Sequence, residues 1–367
     1  MNVLIAILIF TVIIVVHELG HFLLAKKNGV GVIEFSVGMG PRIVTLAKTK
    51  DGIKTVFFIS QDKFEEREDW QEVTKYSWKL LPLGGSCQML GEDEANPSPD
   101  AFNNKGVWAR ISVIFAGPFF NFVLAFLLAM AMVGMTGYDK PVISQLEQGM
   151  PMEAAGFQVG DEIKAINGRK VDISREISSI MQFHPLSEEP IEIISVRDGE
   201  VYSAIVTPQK TEEGSYRLGF GYGGAYEKAN FIEMVKYGFI EVKYWIVLTV
   251  ESLGQLITGK VSAKEVSGPV GIVNMVGTAV DASKDYGMLN VIAMVLRMSI
   301  LISANLGVMN LLPIPALDGG RLVFLLIEAL RGKPIDREKE GMVHFAGLVV
   351  LMLFMVFVMY NDIARLL

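Results

Sequence analysis

Apolar stretches long enough to cross a bilayer recur four times along the chain. A transmembrane helix needs about 20 mostly apolar residues. The stretches fall at about residues 2–25, 108–136, 289–312 and 342–360. Arg297 is the only charge in the third stretch. Together they predict an α-helical polytopic membrane protein with four transmembrane helices.

A fifth apolar stretch, residues 231–257, differs from these because charged residues interrupt it. They are Glu233, Lys236, Glu241, Lys243 and Glu251. Charges at this density are costly inside the hydrocarbon core. We therefore expect an amphipathic helix that lies on the membrane surface.

Short alternating patterns in the loop after the first span predict β-strands at 32–38, 55–60 and 79–90. Pro82 and the glycines that follow it indicate that the third strand is an edge strand or bends. Charged residues crowd the segment 62–78, between the second and third strands. We interpret this acidic insertion as a solvated helix or loop.

Alternating patterns return after the second span. Asn167-Gly168 is a strong hairpin signal. Strands at 191–197 and 201–207 flank a second turn at Asp198. The pattern predicts a small β-rich domain inserted between the second and third spans.

The domain boundaries follow from these patterns. We expect the first transmembrane helix in 1–30, the strand-containing loop in 31–104, the second transmembrane helix in 105–137, the β-rich domain in 138–222, amphipathic surface helices in 223–288, the third transmembrane helix in 289–330 and the fourth in 331–367.

Lysine and arginine distribution predicts the orientation of the spans. These residues cluster after the first span, before the second, and between the third and fourth, which places those loops in the cytoplasm. Both chain ends and residues 137–288 then face outward. The first span lacks a basic leader and a small-residue cleavage site, so we expect a retained helix rather than a signal peptide.

Composition narrows the class of protein further. Hydrophobic residues make up 51% of the chain, and the mean hydropathy is +0.39. The net charge is a mild -7, with no basic patch interleaved with aromatics, so we expect no nucleic-acid partner. Cys87 is the single cysteine and excludes an internal disulfide.

The first span contains the sequence His17-Glu18-x-x-His21. Residues four apart share a helix face, so both imidazoles point the same way. Neutral imidazole binds Zn²⁺ well, and a catalytic zinc takes three protein ligands and leaves one position for water. Glu18 lies about 100° round the helix, where a carboxylate can accept a proton from that water.

Two carboxylates are candidates for the third ligand. Glu34 is the nearer in sequence. Asp318 follows Pro313 and Pro315, which must interrupt the third helix near its cytoplasmic end. Irregular backbone at this depth is tolerated only when it is buried in protein or lines a wet cavity. The predicted topology brings Asp318 to the depth of the histidines, whereas Glu34 falls in the strand loop beyond.

The motifs together resemble those of the site-2 protease family. H-E-x-x-H occupies the first span, N-x-x-P-x-P-x-L-D-G begins at Asn310 in the third, and G-D-x-I-x-x-I-N-G in the β-rich domain looks like a PDZ domain. Within the family the chain is most similar to the bacterial regulator-of-sigma-E protease type, in its single-PDZ form. The resemblance covers nearly the whole chain and implies a membrane-associated β-hairpin at 32–60 and an edge strand at 80–90.

The resemblance also implies roles for individual residues. It makes His17, His21 and Asp318 the Zn²⁺ ligands, Glu18 the general base, and Asn310 a contact of the substrate or the oxyanion. Gly117-Pro118-x-x-Asn121 matches the family's G-P-x-x-N motif in the second span. The implied substrate-binding positions are Leu83, Gly84, Gly85, Ser86, Asn121, Pro313 and Pro315.

By this resemblance the chain is an intramembrane zinc metalloprotease of the bacterial plasma membrane. It would cleave transmembrane segments of single-pass proteins, such as anti-sigma factors or signal-peptide remnants. Its active site would lie near the cytoplasmic side and its PDZ domain outside, where it would bind peptide ends or exclude bulky substrates.

The competing interpretation is a non-catalytic, metal-containing membrane adaptor that presents a PDZ module. A structural zinc site is closed by four protein ligands. The sequence offers no obvious fourth ligand, because Cys87 lies in a loop and we expect His184 and His344 on the far side.

Overall fold

The computed structural model describes residues 2–49, 52–60, 63, 70, 73–92, 94 and 96–366. It divides into two compact units. The first contains Met1–Ala125 and Leu253–Leu367, and the second is Phe126–Ser252.

Helices occur in both units. The helices are α1 (Asn2–Lys27), α2 (Val107–Thr136), α3 (Pro151–Ala154), α4 (Ser174–Phe183), α5 (Phe231–Ile257), α6 (Pro269–Lys284), α7 (Met288–Leu311), α8 (Asp318–Arg331) and α9 (Arg337–Leu366). Four of them, α1, α2, α7 and α9, are long and apolar enough to cross a membrane. The predicted polytopic fold class is confirmed.

The helical core of the first unit lies where α1, α6 and α7 meet. Ile9 and Ile13 of α1 pack against Val276 and Val280 of α6 and Ile302 of α7. Helix α6 therefore belongs to the helix bundle, which differs from the surface position expected for 223–288. Its apolar residues recur four apart, which forms a face that a neighbouring helix can cover.

A buried carboxylate ties the start of α6 to the end of α9. Asp362 accepts hydrogen bonds from the backbone N–H of Gly268 at 3.1 Å and of Gly271 at 2.8 Å. The first N–H groups of a helix have no partner within the helix, and a carboxylate there also meets the positive end of the helix dipole. Asp362 thus stabilises α6 in the bundle.

The loop after α1 forms a three-stranded sheet with the order β2-β1-β3. Its strands are β1 (Val32–Thr49), β2 (Gly52–Phe57) and β3 (Lys75–Met89). The first and third are longer than predicted, and β3 continues through Pro82. The start of β3 pairs with two stretches of β1, whereas its end, from Gly85 to Met89, pairs with only one. That end is therefore an edge, as the sequence predicts.

The acidic insertion falls mostly outside the described residues. Positions 61, 62, 64–69, 71 and 72 are among those not described, so the expected solvated helix or loop stays a prediction there. Residues 75–78 of the insertion are the start of β3.

The sheet buries several polar side chains and exposes large apolar ones. Ser36, Thr45 and Ser77 are buried. On the outer surface, Trp78 is 60% exposed and Phe57 is 64% exposed. Soluble proteins rarely expose a large contiguous apolar patch. This reversal suits a sheet whose outer face meets hydrocarbon rather than water.

The second unit contains the predicted β-rich domain. Its strands are β4 (Tyr138–Lys140), β5 (Ile143–Leu146), β6 (Glu162–Ile166), β7 (Arg169–Lys170), β8 (Ile191–Arg197), β9 (Glu200–Val206), β10 (Gln209–Lys210), β11 (Tyr216–Arg217), β12 (Phe220–Tyr222) and β13 (Ala225–Glu227). Asn167 and Gly168 have φ angles of 48° and 75°, as a two-residue hairpin turn requires. Ile163, Ile177 and Ile193 are fully buried in its core.

Helix α5 turns its charged residues towards the β-rich domain of the same unit. Glu241 pairs with Arg175 of α4, and Lys243 lies 3.3 Å from Asp172. Glu251 lies 3.3 Å from Arg169. Three of the five charges that interrupt this apolar stretch therefore form ion pairs within the unit.

Candidate metal centre

Close packing of α1 on α2 positions the two histidines of H-E-x-x-H. His17 and His21 are both buried. Gly20 lies so close to the carbonyl oxygen of Ala116 that a Cβ there would collide with it. A Cβ on Gly117 would lie 2.7 Å from Cε1 of His17 and closer still to Nε2 of His21. Glycine at both positions lets the imidazole rings lie against α2.

Asp318 reaches the histidines because the third span breaks. Helix α7 ends at Leu311 and α8 begins at Asp318, so the prolines interrupt the helix as predicted. Ala316 has a φ of 74°, a left-handed conformation that is uncommon for a residue with a Cβ. The backbone amide of Ala316 donates a hydrogen bond to Nδ1 of His344 at 2.9 Å, which holds this turn.

Three potential ligand atoms converge at this point. Nε2 of His17 and Nε2 of His21 are 3.1 Å apart. Oδ2 of Asp318 lies 3.2 Å from the first and 3.5 Å from the second. A tetrahedral Zn²⁺ with bonds of about 2.0–2.1 Å separates its ligands by about 3.3 Å. The nitrogen and oxygen donors and their spacing both fit zinc, and these three residues could hold it.

A small cavity opens beside the three ligand atoms. Its volume is about 150 Å³, enough for water. Its lining residues are His17, Glu18, His21, Cys87, Met89, Glu92, Ile114 and Asp318. The backbone of Cys87 and the Glu18 carboxylate both border this cavity. The structure thus places Glu18 in the same cavity as the ligand atoms.

The thiol of Cys87 is a structural neighbour of this cavity rather than a nucleophile. Burial, followed by the nearby carboxylates Glu18 and Glu92, raises the pKa of Cys87 to about 12. Only a thiolate is an effective nucleophile. Cys87 therefore stays protonated at neutral pH.

Glu34, the other candidate ligand, is engaged elsewhere. It is 3% exposed and accepts hydrogen bonds from Nε and Nη2 of Arg42 at 2.7 and 2.9 Å and one from Ser77. Burial alone would raise the pKa of Glu34, but the hydrogen bonds from Arg42 and Ser77 hold it below its ordinary value. Glu34 is not part of the ligand cluster in the described part of the chain.

Among the implied substrate-binding residues of β3, Gly85 lies next to Glu18 and the others have different neighbours. A Cβ on Gly85 would lie 3.5 Å from Cγ of Glu18. Gly84 is buried with Met39 and Ile14 nearby. Ser86 hydrogen-bonds Ser36 at 2.8 Å. The backbone of Leu83 belongs to the same strand, and its side chain is outside the described atoms.

The remaining implied residues are more scattered. Asn310 is partly buried near the end of α7, and Pro313 is exposed. Pro315 packs against Gly347 of α9. None of these three lines the cavity that the ligand atoms share. Asn121 is fully buried, and its Nδ2 lies 3.2 Å from Nδ1 of His17.

Two residues near the centre were not anticipated. His344 was expected on the far side, but it bonds Ala316 in the turn before Asp318. Its position near the start of α9 was the available signal, because that end was predicted to be cytoplasmic. Glu92 lines the cavity and pairs with Arg321 of α8. Only folding brings Glu92 and Arg321 together, and no local pattern marks them.

Metal ligands on one apolar span and just beyond the break in another, with a neighbouring glutamate, define the class of membrane-embedded zinc metalloproteases. A family model described as Peptidase family M50 matches residues 5–61 and 63–354. The chain belongs to this family. It is a multi-pass membrane enzyme, a zinc metalloprotease of the site-2 type, as the sequence predicts.

Similar proteins cover the chain from end to end. A protein of Clostridium acetobutylicum is 38% identical over 364 residues, which is 99% of this chain and 97% of that one. The zinc metalloprotease RasP of Bacillus licheniformis is 33% identical, and the alignment covers 100% of both chains. The regulator of sigma-W protease RasP of Bacillus subtilis is 31% identical, with 98% of this chain and 97% of that one covered.

One solved structure matches only a part of the chain. It is the PDZ domain of an SdrC-like protein from Listeria monocytogenes, 20% identical, with 23% of this chain and 88% of that chain covered. The TM-score is 0.20, which is too low to support an argument about the domain.

Proposed function

We propose that this enzyme cleaves peptide bonds within the transmembrane segments of single-pass membrane proteins. Anti-sigma factors and signal-peptide remnants are the substrate classes that the family resemblance favours. The observation that carries the proposal is the convergence of His17 and His21 of α1 with Asp318, which follows the break after α7, with atoms 3.1–3.5 Å apart, beside Glu18. Ionisable residues at membrane depth are costly and usually functional, and the motif with Glu18 favours hydrolysis as that function.

Each residue of the centre has a distinct task in the proposed hydrolysis. A Zn²⁺ ion held by His17, His21 and Asp318 would supply Lewis-acid chemistry at the scissile carbonyl and at the attacking water. Glu18 accepts the proton of that water and delivers it to the leaving amine. Asn310 steadies the developing oxyanion, a role that requires it to approach the cavity when substrate is bound.

The edge of β3 is the proposed binding site for the unwound substrate. A helical substrate hides its carbonyls in hydrogen bonds, so it must be extended before it is cut. Residues from Gly85 to Met89 pair with β1 on one side only, which leaves an edge to which an extended peptide can add. Because Cys87 and Glu18 line the same cavity and Gly85 lies next to Glu18, this edge lies beside the proposed base.

Leu83, Gly84, Gly85 and Ser86 form the start of this proposed edge site. Gly85 suits close approach of a second backbone because it has no side chain. Pro313 and Pro315 contribute by keeping the turn before Asp318 open and non-helical. The lipid bilayer meets the apolar outer face of the sheet.

The proposal includes an orientation in the bacterial plasma membrane. The lysine and arginine distribution favours a cytoplasmic position for the loop between α8 and α9 and an outer position for the β-rich domain. In this arrangement the β-rich domain excludes substrates with large outer domains, or binds the end of a trimmed substrate.

The adaptor interpretation is less well supported. A structural zinc site has four protein ligands. In the described ranges the ligand cluster contains three residues and adjoins a cavity, which is the arrangement of a catalytic site.

The test is cleavage of a reconstituted single-pass substrate that lacks its outer domain. Glu18→Gln should reduce cleavage by about 100-fold or more while zinc stays bound, because Glu18 is not a ligand. Glu200→Gln, at the exposed start of β9, is the matched control and should leave cleavage unchanged. Full activity of the Glu18 variant would contradict the assignment.

A further inference from the structure

The G-P-x-x-N motif of α2 forms the surface on which the ligand histidines rest. Gly117 and Asn121 are one helical turn apart and touch the imidazole rings. The backbone carbonyl of Asn121 accepts a hydrogen bond from Oγ of Ser303 in α7 at 2.8 Å. A neighbouring span therefore holds Asn121 in place, and it is 0% exposed.

The surface of α2 already determines the tautomer of His21. Nδ1 of His21 lies 2.9 Å from the carbonyl oxygen of Val113. A carbonyl can only accept, so Nδ1 carries the proton. The lone pair of the neutral ring is then on Nε2, the atom near Asp318. Metal-binding histidines commonly use their second nitrogen in this way.

His17 has the same requirement but a different neighbour. Its Nε2 is the atom near Asp318, so a neutral ring that binds metal there must carry its proton on Nδ1. Nδ1 faces the amide of Asn121, with Nδ2 at 3.2 Å. Oδ1 of Asn121 is buried and has no hydrogen-bond partner within the described ranges.

Two donors would face each other if this amide orientation persisted in the metal-bound enzyme. A half-turn of the Asn121 amide exchanges Oδ1 and Nδ2 and moves no other atom of the side chain. The exchange places the unpartnered oxygen opposite the Nδ1–H of His17. The contact then becomes a hydrogen bond instead of a repulsion.

We propose that Asn121 is a positioning residue for zinc, whose amide oxygen accepts the Nδ1–H of His17. The proposal rests on the proposed zinc centre and differs from the substrate-binding role that the family resemblance implies for Asn121. Full burial against an imidazole ring leaves Asn121 no surface on which to meet a substrate. Val113 and Asn121 together hold both ligand rings with Nε2 free.

The test measures zinc retention rather than cleavage. Full-length protein in detergent is loaded with zinc and titrated with a chelator. Asn121→Leu removes the acceptor at nearly the same volume, and Asn121→Asp keeps an acceptor but no donor. Asn290→Leu is the matched control, because Asn290 is exposed near the start of α7 and its side-chain amide donates to the Tyr286 carbonyl, away from the ligand histidines.

The expected result is a loss of about 10–100-fold in zinc affinity for Asn121→Leu, with Asn121→Asp and Asn290→Leu close to wild type. Rescue by aspartate identifies the acceptor as the essential feature, which a role in packing alone would not produce. Wild-type affinity in the leucine variant, or an equal loss in the aspartate variant, would overturn the proposal.

A separate variant tests the zinc centre itself. His17→Ala should abolish zinc retention. If it binds zinc as well as wild type, the proposed centre fails. If it loses zinc while Asn121→Leu does not, only the role of Asn121 fails.

Discussion

Buried carboxylates have opposite uses in this protein because of their immediate neighbours. Glu34 and Asp318 are both largely buried acids. Each one lies beside nitrogen groups that carry, or can carry, a positive charge. Glu34 accepts hydrogen bonds from Arg42, and Nζ of Lys79 lies 3.6 Å from its carboxylate. The negative charge of Glu34 is therefore already balanced. Asp318 faces two imidazoles and no lysine or arginine within 4 Å in the described part of the chain. Two imidazole nitrogens and a carboxylate oxygen, with no cationic side chain beside them, form a set of ligand atoms that suits a metal ion.

Asp161 is a buried carboxylate of the β-rich domain that pairs with Arg197. It is 1% exposed and accepts hydrogen bonds from Nε and Nη2 of Arg197 at 2.6 and 2.8 Å. Burial alone would raise its pKa, but the bonds from Arg197 and the Gln158 amide lower the pKa of Asp161 below its ordinary value. A lowered pKa means that ionised Asp161 stabilises the folded domain.

We expect Asp161→Asn to lower the melting temperature of the β-rich domain by several degrees at pH 7. The wild-type contribution is fully present above the unfolded pKa of about 3.9 and is lost as pH falls through the lower folded value. The difference between variant and wild type should therefore shrink below about pH 4. Calorimetry of the full chain across pH measures both effects.

Asp198→Asn is the control for that measurement. Asp198 is exposed in the turn next to Arg197 and has a φ of 50°, which asparagine tolerates. A drop in stability as large for Asp198→Asn as for Asp161→Asn would argue against the buried pair as the cause.

At the scale of elements, α5 and α4 are joined by a charged contact within the second unit. Arg175 of α4 pairs with Glu241, which is buried. The guanidinium also lies 5.0 Å from the ring centre of Tyr244 and 5.7 Å from that of Trp245. Aromatic rings attract cations over their faces. The contact fastens the β-rich domain to α5 within the second unit.

We predict that Arg175→Met destabilises the second unit by about 3 kcal/mol, because it leaves Glu241 buried without its partner. The double variant Arg175→Met, Glu241→Met should recover much of this loss, since neither charge then remains. Hydrogen exchange of α4 and α5 amides in the full chain measures the change.

Lys243→Met provides the comparison for this prediction. Lys243 is about half exposed in its pair with Asp172, and such pairs contribute roughly 0–1 kcal/mol. Additive effects of the two methionine substitutions at Arg175 and Glu241 would show that the residues do not act as a pair.

At the scale of the whole molecule, the proposed chemistry and the β-rich domain belong to different units. The ligand atoms, Glu18 and the β3 edge are all in the first unit, and strands β4 to β13 are all in the second. This separation means that the domain can be removed without deleting any proposed catalytic residue.

We expect the protein without 141–224 to cleave substrates that retain bulky outer domains, which the full chain should reject. Ala225 pairs directly with Lys140, so an Asn-Gly turn can join them as a hairpin. Glu241→Gln should accompany the deletion because Glu241 loses Arg175. Identical cleavage of long and trimmed substrates by both proteins would exclude the filter.

The predicted orientation is testable with introduced cysteines. In a Cys87→Ser background, Glu188→Cys should react with a membrane-impermeant maleimide in intact cells, and Lys333→Cys should react only after lysis. Both positions are exposed. Reaction of Lys333→Cys in intact cells would reverse the orientation inferred from the lysine and arginine distribution.

Local spacing made much of this protein predictable from its sequence. The four spans, the paired histidines, the turns at Asn167 and Asp198, and the break before Asp318 each depend on residues close together along the chain. Helix and strand periodicity and the backbone limits of glycine and proline act over this range. The sequence by itself therefore determined that a metal-ligand motif lies within an apolar helix.

Only the tertiary structure decided which distant groups meet. The pairing of Glu92 with Arg321, the contact of Asn121 with His17, the exposed apolar face of the sheet and the partners of α5 all arise from packing between separate parts of the chain. Periodicity shows that a face will be covered but not which residue covers it. A contact between positions about a hundred residues apart depends on how the helices cross, and no single stretch of sequence contains that information.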